Sequence, residues 1–181
     1  MRIVGGEFGG RRLAPVPKRG VRPTADPVRE ALFNVLGSRI LGCPFLDLAA
    51  GTGAVGLEAL SRGASPVVLV EKDRHALAAL RRNLETLDLR DDSRARVVPL
   101  DCARFLSGPA DPAPVGVAFL DPPYDDPALA RWLLLLAERG WLDGESLVVV
   151  EHRTGAVPPL GSLTALWSRR YGDTTLTAAS L

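Results

Sequence analysis

The chain has 181 residues and a net charge of +1, and 46% of its residues are apolar and 24% are charged. These values are typical of one folded domain over residues 1–181 and exclude a disordered chain. No apolar run reaches the roughly 20 residues that cross a bilayer, and the first residues lack the apolar core of a secretion signal. Cys43 and Cys102 have no metal-ligand spacing and are expected to be reduced thiols. We therefore expect a cytoplasmic protein without a membrane segment or a metal ion.

The N-terminal segment is basic, whereas the rest of the chain is slightly acidic. Residues 1–30 hold seven basic and three acidic side chains, and the remaining residues hold 15 basic and 18 acidic ones. The short runs Arg2–Val4 and Arg11–Leu13 flank two glycine pairs, which indicates a small hairpin. We predict an arm over residues 1–25 that docks on nucleic-acid phosphates, ahead of a core over residues 26–181. The alternative is a solvated N-terminus that binds nothing.

The core alternates between strand-like and helical stretches. A helix is predicted to begin at Asp26-Pro27, where Asp26 can cap free N–H groups. Five strands are predicted over 45–48, 67–71, 95–99, 115–120 and 147–151. Four more helices are predicted near 54–62, 74–88, 101–107 and 127–139. The last two strand-like runs, 163–167 and 174–178, are too close for a parallel crossover and predict an antiparallel hairpin. This order predicts an α/β, Rossmann-like fold with a seven-stranded, mostly parallel sheet.

A glycine-rich loop follows the first predicted strand. Gly51, Gly53 and Gly56 form the pattern G-x-G-x-x-G between a strand and a helix, which is typical of a site for a nucleotide-type ligand. Glycine in this loop permits a tight turn and a close approach of the backbone to the ligand. Glu71 ends the second strand, where a carboxylate can accept hydrogen bonds from ribose hydroxyls. Many doubly wound domains share this pattern, so it predicts a ligand class and no single ligand.

Two further carboxylates bear on the identity of the ligand. Asp47 lies just before the loop, where it would repel the pyrophosphate of a dinucleotide and attract the sulfonium and ammonium groups of S-adenosylmethionine. A structural role for Asp47, as a helix cap or loop brace, is the alternative. Asp101 follows the third strand and could either accept from an adenine amino group or cap the next helix. The charge pattern therefore favours a methyl donor over a dinucleotide.

The motif Asp121-Pro122-Pro123-Tyr124 follows the fourth strand. Consecutive prolines end a strand and fix its backbone, which leaves the Asp121 carboxylate in the crevice where open α/β sheets bind ligands. A flipped-out base would find hydrogen-bond acceptors in Asp121 and the Pro122 carbonyl, and a stacking face in Tyr124. Holding both hydrogens of an exocyclic amine would direct its lone pair at a methyl donor, so that catalysis rests on positioning. A rigid turn around a buried tyrosine is the alternative.

Several stretches match one known family. Asp121–Tyr124 is similar to the [Asn/Asp/Ser]-Pro-Pro-[Tyr/Phe] motif of amino-group methyltransferases, and residues 47–56 resemble their donor loop, with Thr52 where serine is frequent. The most specific stretch is Arg22–Leu36, RPTADPVREALFNVL. Other matching stretches are Arg2–Gly10, Phe45–Arg62, Leu69–Asp73 and Tyr171–Thr174. Over almost its full length the chain resembles the bacterial 16S rRNA guanine-N2 methyltransferases of the RsmD type.

The resemblance implies a class I methyltransferase fold, S-adenosylmethionine as donor with S-adenosylhomocysteine as product, and m2G formation at guanine 966 of 16S rRNA. The residues expected around the donor are Asp47, Ala49, Gly51, Thr52, Gly53, Glu71, Lys72, Asp101 and Cys102. Those expected around the base are Asp121, Pro122, Pro123 and Tyr124. The candidate RNA contacts are Arg11, Arg12, Lys18, Arg22 and Arg29. Arg29 could instead pair with an acidic neighbour on its helix. The partner would be 16S rRNA or the assembling small subunit, bound by a monomer.

Three other functions share parts of this pattern. An oxidoreductase of the NAD type would use the same glycine loop, but neither His75 nor His152 lies at a predicted strand tip that faces it. A methyltransferase could act on another amino group, of protein glutamine or DNA adenine, although the glutamine enzymes usually carry asparagine before Pro-Pro-Tyr. A non-catalytic RNA-binding module would not need the Asp121 and Glu71 carboxylates.

Overall fold

Seven strands form one sheet in the computed structural model, which describes residues 1–15, 26–122 and 126–181. The strands are β1 Phe45–Leu48, β2 Val67–Val70, β3 Ala95–Val98, β4 Val117–Leu120, β5 Leu147–Arg153, β6 Thr164–Tyr171 and β7 Thr174–Ser180. The helices are α1 Asp26–Leu36, α2 Ala54–Ser61, α3 Arg74–Thr86, α4 Cys102–Leu106 and α5 Ala128–Glu138, and a 3-10 turn covers Gly37–Ile40. None of the helices in the described ranges is long and apolar enough to cross a membrane.

The sheet has the order β3-β2-β1-β4-β5-β7-β6, and its first five strands are parallel. The strand order reverses at β1, because β2 and β3 lie on one side of it and β4 and β5 on the other. Ligands of open α/β sheets bind at such a switch point, beyond the carboxyl ends of the strands. The predicted Rossmann-like fold with a mostly parallel sheet is confirmed, and its topology places the ligand crevice beside β1.

The predicted C-terminal hairpin is confirmed, but it is longer than expected. β6 continues to Tyr171, so only Gly172 and Asp173 separate it from β7. The sequence predicts an end at Trp167 because residues 168–171 are mostly polar and charged. An exposed edge strand can include such residues, because its side chains need not follow an alternating apolar and polar pattern. β7 lies between β5 and β6 and is antiparallel to both. The turn of the hairpin therefore lies at the same edge of the sheet as the carboxyl end of β5.

Two apolar clusters cover the two faces of the sheet. One contains residues of the N-terminal segment, α1 and α2, and the other contains residues of α4 and α5. Cys43 belongs to the first cluster and Cys102 to the second, and both are buried free thiols. Cys43 and Cys102 thus lie on opposite faces of the sheet.

The predicted N-terminal hairpin is present and is docked on the core. Arg2 and Arg12 form an antiparallel bridge, and the amide of Ile3 donates to the carbonyl of Arg11 over 2.9 Å. The buried side chains of the hairpin, Ile3, Phe8 and Leu13, join the cluster that also holds α1 and α2. Burial of this apolar surface holds the hairpin against the domain. Residues 16–25, the remainder of the predicted arm, lie outside the described residues.

The buried carboxylate of Glu58 on α2 anchors the hairpin. It accepts hydrogen bonds from the amides of Val4 (2.7 Å) and Gly5 (2.9 Å), and it pairs with Arg62 at 2.7 Å. Nε of the buried Arg29 on α1 lies 3.5 Å from the same carboxylate. A buried charge requires such partners, so Glu58 fixes the hairpin relative to α1 and α2.

Candidate functional site

The carboxyl ends of β1, β2 and β4 meet at one edge of the sheet. Leu48 pairs with Val70 of β2 and with Leu120 of β4, so that Glu71 and Asp121 follow at the same level. The amide of Asp121 donates to the carbonyl of Leu48 over 3.4 Å, which ties the second motif to the strand that precedes the glycine loop. Residues from three separate parts of the sequence thus line one crevice.

Glu71 and Asp47 brace the glycine loop. Oε2 of Glu71 accepts from the Gly51 amide at 2.8 Å, and Oε1 accepts from the amides of Lys72 at 2.8 Å and Asp73 at 2.7 Å. Oδ2 of Asp47 accepts from the Gly56 amide at 2.8 Å. The alternative structural role of Asp47 is therefore present in the fold. Contacts of Asp47 and Glu71 with the methyl donor stay predictions. Each carboxylate would make such a contact in addition to its hydrogen bonds to the loop.

Asp47 has an unusual electrostatic environment. Its side chain is only 2% exposed. Burial raises the pKa of Asp47 to about 7, the Gly56 hydrogen bond opposes this rise, and the negative charge of Glu71 adds to it. A nearby cation favours the ionised form of a buried carboxylate. The charge of Asp47 therefore disfavours an anionic ligand at this site and favours a cationic one.

The backbone of the loop adopts left-handed conformations. Ala49 has φ of 61°, a conformation that costs a non-glycine residue about 1–2 kcal/mol. A Cβ added at Gly51, where φ is 56°, would meet only the carbonyl oxygen of Ala49, at 4.0 Å, so open space lies in front of the loop. Gly53 differs, because an added Cβ would lie 2.2 Å from Cδ1 of Leu80. Gly51 therefore leaves room for a ligand, whereas Gly53 is required for packing on α3.

The predicted adenine end of the site lies at the start of α4. Asp101 caps this helix, since its Oδ1 accepts from the amides of Ala103 and Arg104, and its Oδ2 pairs with Nζ of Lys72 at 2.9 Å. This hydrogen bond and ion pair lower the pKa of Asp101 and raise the pKa of Lys72. The capping alternative is present, and adenine binding stays a prediction. Burial raises the pKa of the Cys102 thiol to about 12, so the thiol is neutral.

The structure describes part of the predicted base site. Asp121 is half-buried at the tip of β4 and Pro122 is buried. Pro123 and Tyr124 lie outside the described residues, and their contacts with a base stay predictions.

The described crevice fits S-adenosylmethionine. The described residues of the crevice include four carboxylates, those of Asp47, Glu71, Asp101 and Asp121. The positively charged side chain of Lys72 lies beside them and is already paired with Asp101. A sulfonium and an ammonium group complement this negative field, whereas a pyrophosphate would be repelled. The open space at Gly51 provides the close backbone approach that such a ligand needs.

Asn83 plays a part that no motif of the sequence indicates. This residue of α3 is fully buried, and its Oδ1 accepts from the Ala14 amide at 2.6 Å. Its Nδ2 donates to the carbonyl of Ala14 at 3.2 Å and to that of Thr52 at 2.9 Å. The hydroxyl of the buried Thr52 contacts Sδ of Met1 at 3.8 Å. The N-terminal segment is thus fastened directly to the glycine loop.

The predicted RNA contacts divide into three groups. Of the two roles predicted for Arg29, the pair with an acidic neighbour is present and the RNA contact is wrong, because its side chain is fully buried and pairs with Asp26 at 3.0 Å as well as with Glu58. Its position on α1 faces the docked hairpin rather than solvent. Arg11 is exposed but pairs with Asp88 at 3.0 Å, and Arg12 is exposed. Their RNA contacts stay predictions, as do those of Lys18 and Arg22, which lie outside the described residues.

Comparison with known proteins shows the family of the chain. The Escherichia coli K12 protein named ribosomal RNA small subunit methyltransferase D is 44% identical over 169 residues, which cover 93% of this chain and 81% of that relative. A family profile described as conserved hypothetical protein 95 matches residues 1–180. The chain belongs to this RsmD-like family. The resemblance inferred from its motifs is confirmed.

Other RsmD-like relatives agree with this assignment. A Haemophilus influenzae protein, also named ribosomal RNA small subunit methyltransferase D, is 38% identical over 151 residues, which cover 83% of this chain and 78% of the relative. The solved structure of a hypothetical protein from Thermus thermophilus has a TM-score of 0.83 and 36% identity, with 100% of this chain and 99% of that chain covered. The fold is that of a class I methyltransferase, and the named relatives support an enzyme of the methyltransferase class.

Proposed function

We propose that this RsmD-like chain transfers a methyl group from S-adenosylmethionine to the exocyclic N2 of a guanine in 16S rRNA, at guanine 966, to give m2G. The observation that carries the proposal is the convergence of the glycine loop, Glu71 and Asp121 at the switch point of the sheet. The names of the relatives, which specify methylation of small-subunit ribosomal RNA, support the choice of RNA.

The donor would occupy the crevice in front of Gly51. S-adenosylmethionine, when bound, supplies an electrophilic methyl group. Asp47 and Glu71 would hold the loop in its left-handed conformation and provide negative charge. Asp101 would accept from the adenine amino group while it caps α4, and the neutral thiol of Cys102 would form part of the apolar wall. These residues bind and orient, and none of them forms a covalent bond with the substrate.

The guanine would lie against the tip of β4. Asp121 and the carbonyl of Pro122 would accept hydrogen bonds from the two N–H groups of the exocyclic amine, which fixes the nitrogen and exposes its lone pair. As N2 takes the methyl group, it would lose one of its two protons to the Asp121 carboxylate and on to solvent, with S-adenosylhomocysteine as the other product. From the family motif, Pro123 would keep the backbone rigid and Tyr124 would stack on the base, a contact worth about 1–3 kcal/mol. In this scheme catalysis comes from the positioning of the base against the methyl donor.

The substrate would be ribosomal RNA, free or in an assembling small subunit. We propose that residues 1–181 act as one domain and as a monomer in the cytoplasm, where that RNA is found. The N-terminal segment would contact phosphates through Arg12, Lys18 and Arg22, with a smaller part for Arg11 because it is paired with Asp88. Exposed arginines that contact phosphates provide affinity and leave sequence readout to the base site.

An Asp121→Ala variant tests this assignment. We expect it to lose methyl transfer to small-subunit rRNA by at least a hundredfold, whereas its affinity for S-adenosylmethionine, measured by calorimetry, stays within a few-fold of the wild type. Asp91→Ala is the control substitution and should retain turnover, because Asp91 is exposed in the loop between α3 and β3, at the edge of the sheet opposite the crevice. Near-normal turnover of the Asp121 variant would show that this carboxylate does not hold the base.

A further inference from the structure

The hairpin of β6 and β7 extends the crevice edge of the sheet. Arg153, at the carboxyl end of β5, pairs with Thr174 of β7, which in turn pairs with Tyr171 of β6. Parallel pairing of β4 with β5 places Asp121 at this same edge. Neighbouring strands lie about 4.8 Å apart, so the three steps from β4 to β6 span roughly 14–15 Å. The outer end of this edge is thus within reach of a few nucleotides on either side of a base held at Asp121.

The side chains at the outer end are basic and aromatic. Arg153, Arg169 and Arg170 are exposed, and Trp167 and Tyr171 are half-buried. The guanidinium of Arg169 lies 5.7 Å from the centre of the Trp167 ring, close enough for a cation–π contact. Nε of Arg170 donates to the carbonyl of Gly172 at 2.9 Å, which holds this side chain beside the turn.

The two arginines of β6 differ from many other basic residues of this chain. Arg11, Arg62 and Arg94, for example, each pair with a carboxylate. Neither Arg169 nor Arg170 has a carboxylate partner among the residues that the structure describes, although the adjoining turn carries the acidic Asp173. Their charges are therefore available to an external anion. Arg169 lies beside the Trp167 ring, whereas Arg170, on the other face of β6, lies beside the turn. Because β6 is the outer strand of the sheet, a single nucleic-acid strand that crosses its edge would meet both guanidinium groups, and such a strand offers phosphates and base faces together.

We propose that Arg169 and Arg170, next to the end of β5, form a phosphate-binding track for the ribosomal RNA strand that flanks the target base. This inference rests on the proposed function and adds a second RNA surface, on the opposite side of the base site from the donor loop. Trp167 holds the guanidinium of Arg169 in place and offers a rim for a base. The track would fix the register of the strand, whereas Asp121 would select the base.

The test compares the double variant Arg169→Gln/Arg170→Gln with the control Arg39→Gln/Arg139→Gln. The control arginines are exposed at the opposite edge of the sheet, where Arg39 contacts the carbonyl of Glu145 just before β5 and Arg139 follows the end of α5. Binding of a short single-stranded oligoribonucleotide is measured over a range of salt concentrations, together with binding of S-adenosylmethionine. Methyl transfer to small subunits provides KM and kcat.

We expect the β6 variant to bind the oligoribonucleotide at least tenfold more weakly, with a salt slope smaller by about 1.4, since each phosphate contact of a single strand contributes about 0.7. Its KM for subunits should rise, whereas its kcat should stay within twofold of the wild-type value. Its affinity for S-adenosylmethionine should not change. The proposed track would be overturned if the β6 variant had the same salt slope as the wild type. It would also be overturned if the control variant lost as much affinity for the oligoribonucleotide as the β6 variant does. If the wild type binds RNA but does not methylate it, the proposed function fails, whereas the slopes still decide whether the track exists.

Discussion

Replacement of Asn83 by leucine tests the link between the N-terminal segment and the glycine loop. The substitution keeps a buried side chain of similar size but removes three hydrogen bonds, two to the backbone of Ala14 and one to the carbonyl of Thr52. Each bond contributes about 1 kcal/mol net, so the free energy of unfolding should fall by about 3 kcal/mol. The backbone groups of Ala14 and Thr52 would also be left without their hydrogen-bond partners, which adds a further cost. The value of 3 kcal/mol is therefore a lower estimate of the loss.

The assay combines stability with kinetics. For a domain of this size, a loss of 3 kcal/mol lowers Tm by roughly 6–12 °C. Because the loop loses a tether, we expect KM for S-adenosylmethionine to rise at least threefold, more than kcat falls. Arg81→Leu is the matched control, since Arg81 is exposed on the same helix and receives the same side chain. A loss of stability below about 1 kcal/mol, or one equal to that of the control, would refute this account of Asn83.

Three further predictions concern charge. Asp47 loses its proton as the pH rises through its pKa of about 7, so donor affinity should be up to about tenfold higher at pH 8 than at pH 6 in titration calorimetry, and Asp47→Asn should abolish the difference. Arg29→Met should lower stability in urea unfolding by about 3 kcal/mol and leave RNA affinity unchanged, since it breaks a buried pair with Glu58. Arg12→Gln should reduce the salt slope of RNA binding more than Arg11→Gln, because Arg11 is already paired.

Each of these has a contrary outcome. An unaltered pH dependence in the Asp47 variant would assign the titration to another group, including the donor itself. Loss of RNA affinity in an Arg29 variant that stays folded would show that Arg29 contacts RNA. Equal slopes for the two hairpin variants would mean that the pair with Asp88 breaks on RNA binding.

The fold was predictable because its signals are local. The glycine loop follows a short apolar strand, and strands alternate with helices up to residue 153, so that the parallel sheet and its crevice follow from connection rules. The end of β6 was not predictable, because residues 168–171 are held in the strand by pairing with β7 and not by an apolar pattern. The same pairing brings these residues to the crevice edge.

The candidate site was predictable in its charges and less so in its contacts. Asp47, Glu71 and Asp121 lie where strand ends converge, as the motifs indicate. The role of Asn83 depends on partners 69 and 31 residues away, and a single asparagine in a helix carries no signal of them. Burial of Arg29 likewise depends on Glu58 of another helix, which its own amphipathic pattern does not reveal.

The central claim concerns the donor, the acceptor atom and the RNA together. The purified chain is incubated with S-adenosylmethionine that carries a labelled methyl group and with small subunits from cells that lack this methyltransferase, and the RNA is digested and examined by mass spectrometry. The account predicts one labelled N2-methylguanosine per subunit, at a single position, and none with the Asp121→Ala variant. Label on another base or on protein, or donor binding without any labelled RNA, would contradict it.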